Sequence, residues 1–197
     1  MTNLIVEISK YAMIFLFALY TYECFASFKS KLSEEKKNRI FKRQIFLMYM
    51  IHLAAFLAIY AVTEDETMIL FYGFQVIFVA ITISCYQLIY EKASRLLINN
   101  MCMLLLIGFI MLTRLSVDKA IRQYLIAAAS MVVTLIIPFI IRKGKSLRKL
   151  TWLYGLVGIL GLLVVAVLGG ISYGAKLSIT IAGIAVQPSE FIKILFV

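Results

Sequence analysis

Long uncharged runs are the feature that most constrains this chain. Gln44 to Val62 spans nineteen residues without a charge, Met68 to Tyr90 twenty-three, Leu96 to Thr113 eighteen, Gln123 to Ile141 nineteen and Leu150 to Ala175 twenty-six. A helix needs about 20 mostly apolar residues to cross the hydrocarbon core of a bilayer. Within hydrocarbon every backbone N–H and C=O must be bonded inside the segment, and a helix meets that demand locally. The runs therefore predict an all-α fold, a polytopic bundle of transmembrane helices. At 63% hydrophobic residues, 15% charged residues and a mean hydropathy of +0.97, the composition excludes an ordinary soluble domain, which is nearer half apolar and one quarter charged.

The first and last runs need separate argument. Tyr11 to Tyr22 is uncharged for only twelve residues and is flanked by Glu7, Lys10 and Glu23. A span from about Leu4 to Phe28 requires Glu7 and Lys10 at one interface and a partner or water for Glu23. The alternative is an amphipathic helix lying in the interface. Glu7 in the n-region, with no small-residue cleavage site after it, argues against a cleavable signal. The run of twenty-six exceeds one span, so its end, from about Gly169, is expected to leave the membrane as loop. At the other extreme, apolar residues after Pro188 continue to Val197, where the given sequence stops. The expectation is six full spans plus a seventh, truncated near its middle.

Net charge is +10. In a soluble protein that would suggest nucleic acid; here the charge sits in short connectors, and no nucleic-acid partner is expected. The connectors at 29–43, 91–95 and 142–149 carry fourteen Lys or Arg, against four in the alternate connectors at 63–67, 114–122 and 170–187. Short loops rich in Lys and Arg stay cytoplasmic. The first set is therefore expected in the cytoplasm, the N-terminus outside, and Lys176 with Gln187 at the outer surface.

Few residues suggest chemistry. Cys24, Cys85 and Cys102 lie in apolar runs, are odd in number and lack metal-ligand spacing, so neither a disulfide nor a metal site is expected. His52 stands alone among apolar residues, and a helix-to-helix hydrogen bond explains it better than a proton relay. Asn99-Asn100 is expected to bridge helices near the cytoplasmic end. Gly155, Gly158 and Gly161 recur at i, i+3, i+6 and would allow a neighbouring helix to approach closely. No phosphate loop or nucleophile triad is present.

The most informative stretch is the last. Pro188 is suited to a first helical position, where its missing N–H would be unpaired anyway. Glu190 then faces the positive end of the helix dipole, and Lys193 follows at i+3 on the same face. The segment Gly174-Ala175-Lys176-Leu177-Ser178, then Gln187-Pro188-Ser189-Glu190-Phe191-Ile192-Lys193, resembles the signature of the SEDS family (shape, elongation, division and sporulation), which includes FtsW, RodA and SpoVE. The family pattern is Gly-Ala-(Arg/Lys)-Arg-Trp-Ile followed by Gln-Pro-Ser-Glu-Phe-x-Lys. The second half matches residue for residue; in the first, Leu177 and Ser178 replace a basic residue and a tryptophan. Arg114-Leu115 and Arg122-Gln123 resemble the connector between the family's first two core helices. The resemblance covers about residues 95–197, the N-terminal part of a SEDS-like core with core helices one to three and the start of four. Residues 1–91 form an additional three-helix region with no counterpart in the usual ten-helix core.

The resemblance implies a bacterial cell-membrane protein that polymerises lipid II into peptidoglycan during division, elongation or sporulation. It implies a class B penicillin-binding protein as transpeptidase partner. No cofactor is implied for this chain, although a divalent cation is compatible with the full-length enzyme. The family's catalytic carboxylate lies in an outer loop beyond the fourth core helix, past Val197, so no catalytic residue is assigned and the given sequence is expected to be inactive by itself. Lys176, Gln187, Ser189, Glu190 and Lys193 are the candidate substrate-binding residues, with Gly174, Ala175 and Pro188 as structural parts of the motif. Two other function classes remain open: a noncatalytic scaffold of the division or elongation machinery, and a transporter component using Glu23, His52 and Glu190 as a polar path.

Overall fold

The computed structural model describes residues 2–29, 33–143, 151–168, 170–172, 175–181, 184–187 and 193. Six helices follow in chain order: α1 (Thr2–Ala26), α2 (Glu34–Thr63), α3 (Thr67–Ile89), α4 (Arg95–Leu115), α5 (Val117–Lys143) and α6 (Thr151–Leu168). Helices α1 to α5 are long and apolar enough to cross a membrane, and this is a helical, multi-pass membrane protein with one short three-stranded sheet after α6. The first run is one continuous helix of 25 residues, the length of a span. α6 has 18 residues and ends where the sequence leads the chain out of the membrane. Of the expected seventh helix only Lys193 is among the described residues, and it is helical.

Two polar connectors differ from expectation. Most of 29–43 is not loop, because α2 begins at Glu34. Ser33 is its N-cap, accepting from the Lys36 N–H at 3.4 Å, and Glu34 and Glu35 occupy the first turn, where carboxylates favour the positive end of the helix dipole. The second connector, 114–122, reduces to a single extended residue, Ser116, between α4 and α5. Ser116 Oγ accepts from the Lys119 N–H at 3.5 Å and Asp118 lies in the first turn of α5. Polar side chains do not stop a helix that has left the hydrocarbon; only capping and backbone conformation do.

The 63–67 turn is as tight as its acidic sequence suggests. Glu64 closes α2 in the left-handed region (φ 53°) and donates its N–H to the Tyr60 carbonyl at 2.8 Å. Asp65 Oδ1 then accepts from the Thr67 N–H at 2.9 Å, and that donor holds the carboxyl below its ordinary value.

By contacts the chain divides into two units, Met1–Leu135 and Ile136–Val197. In the first, the buried core is drawn from four helices: Tyr20 of α1, Met48 and Ile51 of α2, Phe78 and Val79 of α3, Leu106 and Phe109 of α4, with their neighbours. Tyr124 of α5 joins from the side, its ring 5.4 Å from Phe78 and 6.0 Å from Phe109. The Tyr86 hydroxyl donates to Thr134 Oγ1 at 2.7 Å, a second tie from α3 to α5.

In the second unit α6 leads into three short antiparallel strands, β1 (Gly170–Ser172), β2 (Ala175–Ile181) and β3 (Ile184–Val186), in the order β1-β2-β3. The connector expected as loop is therefore partly paired backbone. The β-branched run Ile179-Thr180-Ile181 suits a strand. At Gly155 an added Cβ would meet nothing within 4 Å.

Candidate functional site

The residues that the motif singles out lie in the second unit. Lys176 is in β2 and pairs across to Ile171 of β1, while Ala175 pairs with Ser172. β3 returns antiparallel to β2 with Ile179 opposite Val186 and Ile181 opposite Ile184. Gln187 follows directly and is half-buried. This register brings Gln187 back beside the Ser178–Ile179 step, three residues or fewer from Lys176 and so within about 10 Å along the strand. Eleven positions separate the two residues in the sequence; the hairpin removes most of that separation. Lys193 is exposed. Gly174, Pro188, Ser189 and Glu190 lie outside the described residues.

The polar residues inside the first unit form three distinct groups. At the end of the bundle where Ser33 and Arg95 open α2 and α4, α1, α2 and α4 meet through side-chain amides. Asn99 Nδ2 donates to Gln44 Oε1 at 2.9 Å and to the Phe41 carbonyl at 3.3 Å. Asn100 Oδ1 accepts from the Tyr20 hydroxyl at 2.9 Å and from Cys24 Sγ at 3.4 Å. The asparagine pair thus bridges α4 to both α2 and α1, as its position inside a span requires.

The second group is an ion pair. Glu23, buried on α1, meets Arg43 of α2 at 3.3 Å. This is the partner that a carboxylate at the edge of a span demands.

The third group lies deeper. His52 and Gln75, both fully buried, approach at 2.9 Å between His52 Nε2 and Gln75 Oε1. Tyr72 stacks on the imidazole at 4.8 Å and Phe56 meets it edge-on at 4.8 Å. The lone histidine is a link between α2 and α3, as expected. His52 and Glu23 have separate partners, so the geometry does not join them into one polar path. Gln44 and Gln75 are the partners that the sequence reading missed; their signal is a single amide inside an uncharged run.

Cys24, Cys85 and Cys102 are free thiols, and among the described residues no cluster of three metal-ligating side chains occurs. The groups of the first unit are structural ties between helices. The chemistry-bearing candidates remain those of the motif.

Comparison with known proteins places the second half of the chain. A family model described as a cell cycle protein, that of FtsW, RodA and SpoVE, matches residues 94–197. No curated protein and no solved structure matched the chain. The match begins at Ser94, the N-cap of α4, and runs through the motif. It covers more than half of the chain, which therefore belongs to the FtsW/RodA/SpoVE family of cell cycle proteins.

Proposed function

We propose that this protein works in bacterial cell-wall assembly and binds lipid II, the lipid-linked disaccharide, through the segment from Lys176 to Lys193. The observation that carries the reading is the run Gln187-Pro188-Ser189-Glu190-Phe191-Ile192-Lys193 inside the family-matched region. Lys176 and Lys193 supply cations for a diphosphate, and Gln187, Ser189 and Glu190 supply groups that bond sugar hydroxyls. The hairpin supports this by drawing Lys176 and Gln187 together. In this reading these residues bind substrate. Polymerisation itself rests on an outer-loop carboxylate of the family and on a class B penicillin-binding protein as partner. The basic connectors face the cytoplasm and the 170–187 segment faces outward, where the lipid-linked substrate is consumed.

Binding is tested with the chain in nanodiscs, titrated with fluorescent lipid II. Glu190→Gln and Lys193→Ala are expected to weaken binding about tenfold each, while Glu7→Gln leaves it unchanged. Equal binding by the motif variants and the parent, or equal binding of a neutral lipid carrier, rejects the reading. Orientation is tested separately by labelling single cysteines placed at Lys176 and Lys92: only the first should react with an impermeant reagent from outside.

A further inference from the structure

α2 is longer than a membrane requires, and its excess is basic. Its 30 residues extend about 45 Å, whereas the uncharged part from Gln44 to Val62 covers about 28 Å, close to the hydrocarbon thickness of about 30 Å. The ten residues Glu34–Arg43 therefore continue about 15 Å past the hydrocarbon, through the headgroup layer. They carry Lys36, Lys37, Arg39, Lys42 and Arg43 against Glu34 and Glu35. Apart from Ile40, which is buried, and Lys37 and Phe41, which are half-buried, this overhang is exposed.

The α3–α4 turn lies at the same level. Arg95 donates to the Asn38 side chain, which places the Lys92–Arg95 turn beside the middle of the overhang. Part of the positive charge is already matched: Lys37 pairs with Glu34, Arg39 with Glu35 and Arg43 with Glu23. Lys42 and Lys92, both exposed, have no anionic partner among the described residues, and Arg95 meets only a neutral amide. Three cations from two helix ends thus share the headgroup layer with no ion pair among the described residues, Glu91 beside Lys92 being the one carboxylate in their turn.

We infer that the Lys42–Lys92–Arg95 cluster is a binding site for the headgroups of anionic phospholipids. Charge and depth together select this occupant. Phosphates of the bilayer lie at this height, and juxtamembrane Lys and Arg attract anionic headgroups through the surface potential. Arginine adds a fork that takes two phosphate oxygens at once. The inference is independent of lipid II, because these residues lie at the opposite end of α4 from Ser116 and outside the 174–193 motif.

The test uses the whole chain purified in detergent, with retained lipids read by native mass spectrometry after exchange into equimolar phosphatidylglycerol and phosphatidylcholine. The parent is expected to retain phosphatidylglycerol at least about tenfold over phosphatidylcholine. The triple variant Lys42→Gln, Lys92→Gln, Arg95→Gln should lose that preference. A control with the same loss of charge at the other end, Arg114→Gln, Lys119→Gln, Arg122→Gln, should keep it. Inorganic phosphate at equal concentration should not displace the lipid. No preference in the parent, a preference that survives the first triple variant, or equal loss in both triple variants overturns the site. Matched melting temperatures of the two variants in phosphatidylcholine exclude unfolding as the cause.

Discussion

Asn99 Nδ2 donates to Gln44 Oε1 at 2.9 Å, and both side chains are buried, Asn99 at 1% exposure and Gln44 at 0%. The bond joins α4, the first helix of the family-matched region, to α2, which precedes it. Next along α4, Asn100 makes the equivalent tie to α1. Two adjacent asparagines therefore fasten α1 and α2 to the first helix of the family-matched region. Lipid tails are as apolar as leucine, so helices in a bilayer gain little from hydrophobic contact and depend on such bonds and on close packing.

Replacing Asn99 by leucine should cost about 1 kcal/mol, within the range measured for hydrogen bonds between membrane helices. Gln44→Leu should cost a similar amount, and the double variant less than the sum. Unfolding in increasing sodium dodecyl sulfate, run as a double-mutant cycle, gives the coupling. Strict additivity would show that the bond contributes nothing.

For His52 and Gln75 the same logic applies at the middle of the bundle. His52→Phe keeps a ring between Tyr72 and Phe56 and leaves the Gln75 amide without its partner, so a loss of about 1 kcal/mol is expected. Adding Gln75→Leu should recover most of it, because an apolar pair leaves no orphaned amide. A double variant less stable than His52→Phe alone would mean that the histidine is held for another purpose.

Arg43→Gln should be more damaging than Arg39→Gln or Lys37→Gln. The partners of the latter two, Glu35 and Glu34, keep 80% and 86% of their side-chain surface in solvent, whereas Glu23 keeps 9%. Exposed pairs contribute about 0–1 kcal/mol. Leaving Glu23 without its cation should cost about 2 kcal/mol, less than for a fully buried pair because Arg43 is itself 63% exposed. Glu23→Gln combined with Arg43→Gln should recover part of the loss. Equal melting temperatures for all three single variants would count against this ranking.

Glu64 is the one non-glycine residue with positive φ among the described residues. Glycine adopts that conformation without steric cost, although it loses more entropy on folding. Glu64→Gly should therefore stabilise the α2–α3 turn by about 0.5–1 kcal/mol. Alanine at the same site should give no such gain.

The same turn carries a pH dependence. Asp65 has its carboxyl held below the ordinary range by the Thr67 N–H, so the ionised form favours the folded turn. That contribution is fully present above the usual aspartate value of about 4 and is lost as pH falls through the lower, folded value. Amide exchange at Thr67, followed from pH 5 to pH 3, should accelerate relative to its intrinsic rate in the parent. In Asp65→Asn, whose side-chain oxygen still accepts, the relative rate should stay level.

The spans were legible because the demand that creates them is local: enough apolar residues in a row to cross hydrocarbon, with the backbone bonded to itself. His52 and Asn99-Asn100 were legible in kind, since a polar group in such a run must find a partner. Their partners were not. Gln75 is twenty-three positions from His52, and Gln44 is fifty-five from Asn99. Which amide meets which depends on how each helix is rotated about its axis, and packing sets that rotation. The candidate site divides in the same way. The linear motif identifies the family and nominates Lys176 and Gln187; the pairing of β2 with β3 brings their backbones together.

By itself the amino-acid order determined a polytopic helical membrane protein, the approximate limits of its spans and its kinship with the FtsW/RodA/SpoVE proteins. Only the tertiary structure decided that the polar stretches 34–43 and 117–122 continue as helix, and that α1 and α2 are fastened to α4 by amides. The physical reason is one of range. Hydrophobic length and capping act over a few residues, whereas a buried hydrogen bond between helices exists only after distant segments have packed and brought donor and acceptor within about 3 Å.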